Sequence, residues 1–121
     1  MDALNQETLA EFDKLPLECD GLTLVLHEYL IEQRVPHTVL RGHLERTDGG
    51  GPKTWNLFGI LTPAATTVYH VWISLGENRF LDMRARMWFG HDAPHGVFRP
   101  DDFPNFVYSE ISPKLLASRG G

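Results

Sequence analysis

The chain has one thiol, Cys19, so any thiolate chemistry depends on that residue alone. A cysteine thiol is a weak nucleophile near neutral pH, and a helix N-terminus, a neighbouring imidazole, or both are needed to make it reactive. Cys19 directly precedes an amphipathic stripe and therefore stands at a helix start. The unpaired backbone N–H groups there also suit the oxyanion of a tetrahedral intermediate. Cys19, Leu22 and Leu26 share one helical face, which turns the sulfur toward the rest of the domain. His70, inside the strongest β-type run of the chain, is the imidazole expected beside it. Asp82, on the following run, is the acid expected to fix the imidazole tautomer. Together they are the expected catalytic residues of a thiol hydrolase or acyltransferase acting on an amide carbonyl.

The elements that must bring these residues together can be read from periodicity. Leu4, Leu9, Phe12 and Leu15 fit a first helix over Asn5 to Leu15, with Asn5 as N-cap and Pro16 as its end. Leu22, Val25, Leu26, Tyr29 and Leu30 predict a second helix over about Asp20 to Arg34, stopped by Val35-Pro36. Strands are predicted over His37 to Arg46, Thr54 to Leu61, Thr66 to Leu75 and Arg79 to Met83, with a glycine and proline turn over Asp48 to Lys53. A three-residue loop of Gly76, Glu77 and Asn78 would pair Trp72 with Asp82 and set His70 diagonally on the same face. A two- or four-residue loop would separate them onto opposite faces. Beyond Arg84 the text is proline, glycine and aromatic punctuation, and no element is assigned. The expected architecture is one α+β domain over residues 1–121, its N-terminal helices packed on one side of an antiparallel sheet.

The stretch Glu18-Cys19-Asp20-Gly21-Leu22, then His70-Val71-Trp72-Ile73-Ser74-Leu75-Gly76 with Phe80-Leu81-Asp82, resembles the papain-like cysteine hydrolase superfamily. The likeness is to its compact bacterial forms, transglutaminase-like proteins and NlpC/P60 peptidases, and covers about Pro16 to Met83. It implies a papain-like minimal core and cleavage, transfer or deamidation of amides through a thioester. The acid at Asp82 looks like the transglutaminase pattern, since NlpC/P60 proteins usually carry histidine there. The chain departs from the pattern upstream: Asp13 stands where papain-type enzymes place an oxyanion glutamine, and Gln6 is the only glutamine before Cys19. The side-chain half of the oxyanion hole is therefore left unassigned. Glu18 beside the cysteine would oppose thiolate formation unless it faces away or is paired.

Trp72 and Trp88, with Phe98, are candidates for the wall of a substrate groove, or else core aromatics. Arg79, Arg84 and Arg86 near Met87 and Phe89 read as a carboxylate- or peptide-binding lip, or as solvated arginines on a strand edge. His91, Asp92 and His95 are close in sequence, but Pro94 spoils helical presentation, so a loop is expected there rather than a metal site, and no metal or cofactor is expected elsewhere. His27, His37 and His43 are expected at the surface or half-buried.

With 121 residues, 42% of them hydrophobic, one domain can bury a core without staples. The formal charge of −5 argues against nucleic acid or an anionic membrane as partner. So small a domain has little wall for a deep pocket, and an exposed or extended peptide or protein substrate is expected for the thiol chemistry. Met1 to Leu17 carries acids and no apolar run, and one cysteine suits a reducing compartment, so a cytoplasmic location is expected. The rival expectation is a binding module that keeps a papain-like frame and docks a partner through Arg84 to Arg99, with Cys19 inert in the core.

Overall fold

The structure, a computed structural model, describes residues 4–49, 53–63 and 66–111. Helix α1 spans Gln6–Asp13, and Asn5 caps it by accepting the Thr8 N–H at 2.8 Å. Helix α2 spans Cys19–Glu32, and its Leu22, Leu26 and Leu30 form a fully buried stripe at a spacing of four. It ends before Val35-Pro36: Arg34 takes a left-handed conformation (φ 57°), and the Val35 N–H reaches back to the Leu30 carbonyl at 2.9 Å. The shift of the helix start by one residue makes Cys19 its first member.

Strands β1 (Thr38–Arg46), β4 (Thr67–Gly76), β5 (Arg79–Asp82), β6 (Gly96–Phe98) and β7 (Phe106–Glu110) form one antiparallel sheet in the order β6-β5-β4-β1-β7. The fold class is α+β. Leu9 of α1 and the α2 stripe pack on one face against Ile73, Leu81 and Met83. The other face is also apolar and is covered too. There Leu44 and Phe106 pack with Ala85 and Phe89 of a short helix α3 (Ala85–Phe89), beside an aromatic group of Trp72, Phe80, Phe98 and Tyr108. The expectation of helices on a single side is thus corrected: β4 buries consecutive residues from His70 to Ile73, and a strand buried on both faces needs a layer on each. Arg46, buried at the end of β1, ties this second layer down through the Phe89 carbonyl and the carboxylates of Asp48 and Asp92.

The strand expected over Thr54 to Leu61 is instead a hairpin of two short strands, β2 (Lys53–Trp55) and β3 (Leu61–Pro63), which form a separate two-stranded sheet. Turn chemistry explains the difference. The Asn56 carboxamide oxygen accepts the N–H groups of Phe58 (2.8 Å) and Ile60 (3.0 Å), and Gly59 takes φ 74°. Residues 50–52 of the turn expected over Asp48 to Lys53 lie outside the described residues. No helix among the described residues is long and apolar enough to cross a membrane.

Candidate active site

Cys19 opens α2 with 9% of its surface exposed. The preceding residue, Glu18, has extended backbone (φ −80°, ψ −176°), points no side chain back to cap the helix, and is itself exposed. In the first turn the Gly21 N–H donates to the Asp20 carboxylate at 2.8 Å. The approach to Cys19 is held by Arg84. Its guanidinium donates to the carbonyls of Leu17 (2.7 Å) and Leu15 (2.9 Å) and to the carboxylate of Asp13 (2.6 Å). Arg84 is therefore neither a substrate lip nor a solvated edge residue, but a clamp between the α1–α2 linker and the end of β5. Asp13 is the anionic end of that clamp.

The β4–β5 turn sets the relation of His70 to Asp82. It closes with two residues, Glu77 (φ 54°) and Asn78 (φ 58°), and Gly76 pairs with Arg79. A two-residue turn alone would put His70 and Asp82 on opposite faces. A register shift between Ser74 and Gly76 adds one residue on β4, so Ser74 pairs with Phe80 and Ile73 with Leu81. That register continues to Trp72 opposite Asp82 and returns His70 to the face of Asp82. The expected three-residue loop is thus corrected to a turn plus a bulge with the same outcome. The His70 Nε2–H donates to Asp82 Oδ2 at 2.7 Å, with both side chains buried.

Asp82 is itself fixed from three further directions. Tyr108 of β7 donates its hydroxyl to the same Oδ2 at 2.7 Å, and the backbone N–H groups of Arg84 (2.9 Å) and Ala85 (3.1 Å) donate to Oδ1. Tyr108 was not singled out from sequence. The available signal was the aromatic and β-branched run Phe106-Val107-Tyr108 after Pro104. Burial, then the charge of Asp82 and the hydrogen bond to it, holds the Tyr108 hydroxyl protonated far above its ordinary range.

Burial alone would lower the His70 pKa. Hydrogen bonding to Asp82 and to Cys19, with the charge of each, outweighs it and raises the value from 6.5 to about 9. His70 Nδ1 is buried and, among the described residues, makes no hydrogen bond, and Cys19 is near enough to the imidazole to act on its pKa. Trp72 lies nearly parallel to the imidazole, at 16° and 6.3 Å between ring centres.

The substrate-wall reading of Trp72 is corrected, because it is only 1% exposed and belongs to the aromatic core, where β4 is covered on both sides. Phe98 is buried in the same group. Trp88 is partly exposed on α3. His91 and His95 do not join Asp92 in a cluster: Asp92 pairs with Arg46, and His95 faces Asp13 at 3.4 Å. No three His, Cys, Asp or Glu side chains gather as a metal site among the described residues.

A cleft of about 430 Å³ runs between the start of α2 and the β1–β4 pair, lined by Asp20, Gly21, Thr23, Leu24, Val39, Arg41, Tyr69 and Val71. It touches the residues that follow Cys19 and those that flank His70. A slightly larger one, about 500 Å³, opens at the opposite end of the sheet, near Leu75, Glu77 and Arg79, away from these groups. Comparison with protein-family models, with curated proteins and with solved structures finds no match.

Proposed function

We propose that this protein is a thiol hydrolase or acyltransferase acting on a peptide or side-chain amide, of the papain-like kind its motifs resemble. The observation that carries the reading is the buried His70, bonded to Asp82 through Nε2 at 2.7 Å with its Nδ1 unbonded, and Cys19, at the first position of α2, near enough to act on its pKa. In this reading the Cys19 proton already rests on His70 Nδ1 and the sulfur attacks the amide carbon. The C=O π-electron pair moves to oxygen, and the Cys19 and Asp20 N–H groups, at the open end of the helix, receive that charge. His70 then returns the proton to the departing nitrogen, leaving a thioester. Water or an amine resolves the thioester, giving hydrolysis, deamidation or transfer. Asp82 keeps the imidazole oriented throughout.

The test is the rate of iodoacetamide addition to the native protein, with intact mass to count adducts, in wild type and His70→Ala. A single adduct at Cys19 that forms in the folded protein and slows strongly without His70 supports the reading. A sulfur that reacts only after unfolding sinks it. The low exposure of Cys19 favours one rival, a binding module in which the thiol is core. That rival requires Cys19→Ala to leave every activity intact.

A further inference from the structure

The cleft of about 430 Å³ at the start of α2 has one wall from that helix and one from β1 and β4. Asp20, on the helical wall, directly follows Cys19 and carries one of the backbone N–H groups assigned above to the oxyanion. Arg41 stands on the strand wall, paired across the ladder with Val71. Its side chain is exposed and, among the described residues, its guanidinium makes no hydrogen bond or ion pair. Arg46 and Arg84 differ in this respect, since each is engaged by carboxylates and backbone carbonyls.

A free guanidinium in a concave site presents a planar fork of N–H donors that matches a carboxylate. The charges of the cleft restrict where such an anion can lie. Asp20 repels it from the helical wall, and its own carboxylate is already turned to the Gly21 N–H at 2.8 Å. Arg41 leaves the strand wall as the favourable side. Leu24, Val39, Tyr69 and Val71 supply the apolar part of the lining, which suits the side chains of a peptide rather than a small inorganic anion.

We infer that Arg41 is a specificity-determining residue: it receives a carboxylate of a peptide bound in this cleft, so that the site selects acidic sequences. That an amide of the bound peptide is then attacked by Cys19 rests on the thiol reading above; the selection of the carboxylate does not. The chain's formal charge of −5 makes the selection informative, because a surface of that sign favours a neutral peptide over an acidic one unless a local cation reverses the order.

Binding is measured without turnover, on isotope-labelled Cys19→Ala protein, by two-dimensional amide NMR. One probe is acetyl-Glu-Leu-Gln-Ala-Glu-amide, with an acid on each side of a side-chain amide. The other is its uncharged counterpart, acetyl-Gln-Leu-Gln-Ala-Gln-amide. The acidic peptide is expected to bind saturably and about tenfold more tightly than the neutral one, the scale of a hydrogen-bonded charge pair. Its amide shifts are expected at Asp20, Gly21 and Arg41. The same protein carrying Arg41→Met is expected to bind both peptides equally, and its spectrum reports that the fold is intact. No saturable binding, equal binding of the two peptides, or an acidic preference that survives Arg41→Met overturns the inference. Shifts confined to the other cleft, around Leu75 and Arg79, overturn it too. Iodoacetamide addition to wild-type Cys19 decides the thiol reading separately. An inert thiol with acid-selective binding leaves a peptide-binding cleft without catalysis, whereas a reactive thiol with no acidic preference leaves the enzyme and removes Arg41 from its specificity.

Discussion

In the proposed chemistry His70 is the pivotal residue, because its two nitrogens differ: Nε2 is committed to Asp82, while Nδ1 is unbonded and would exchange a proton with Cys19 and the leaving group. With its pKa raised to about 9, the imidazole keeps its proton through neutral pH and loses it as pH rises past that value. Any amide-cleaving activity should therefore fall on the alkaline side with a midpoint near 9, as a pH–rate profile would record. A profile without an alkaline limb would remove His70 as the acid. Tyr108→Phe keeps the ring but removes one of the donors to Asp82 Oδ2. The expected effect is a loss of activity of about tenfold, the worth of a buried hydrogen bond to a charged group. The alkaline limb should move upward as well, because a less shared carboxylate acts more strongly on the imidazolium. An unchanged profile would make Tyr108 packing alone.

At the scale of elements, two devices join parts distant in sequence. Arg84 clamps the linker before α2 to the end of β5: its guanidinium holds the linker before Cys19 and its backbone N–H holds the Asp82 carboxylate. Arg84→Met should lower stability by about 2–3 kcal/mol in urea unfolding, through the carbonyl and carboxylate bonds it leaves unmade. It should also slow native Cys19 alkylation, whereas the exposed neighbour Arg86→Met should do neither. The second device is Gly42, at the crossing of β1 and β7. A Cβ there would stand 1.9 Å from the Ser109 carbonyl oxygen, a backbone atom that cannot yield without moving β7. Gly42→Ala should cost about 3 kcal/mol or more, beyond ordinary overpacking. It should also take Tyr108 away from Asp82, so its pH profile should resemble that of Tyr108→Phe. Normal stability of the alanine variant would show that β7 has room to shift.

For the molecule as a whole, the raised pKa of His70 links folding to pH. A group that holds its proton more tightly when folded contributes its full stabilisation below the unfolded value of 6.5 and loses it as pH rises through about 9. The shift corresponds to on the order of 3 kcal/mol. Urea unfolding between pH 6 and pH 9.5 should show wild type losing that much more stability than His70→Gln. Equal slopes would mean that the folded protein does not hold the extra proton.

The sequence by itself determined the periodic elements and the residue types of the site. The leucine stripe of α2, the β-branched run of β4 and the cap at Asn5 are local patterns, and Cys19, His70 and Asp82 are distinctive within them. The pairing of His70 with Asp82 was legible only conditionally, because strand register depends on turn length plus any bulge, and the shift near Leu75 is a matter of twist and packing rather than of local residue preference. The split of residues 54–61 into a hairpin was hidden because Trp55, Leu57, Phe58 and Ile60 look like a buried strand, while Asn56 and Gly59 decide the turn. What only the tertiary structure decided is the return of β7 to β1, with Tyr108 on Asp82, and the recruitment of Arg84 to the α2 approach. Both join residues far apart in the chain, and no periodicity within a short window encodes a partner that folding alone brings near.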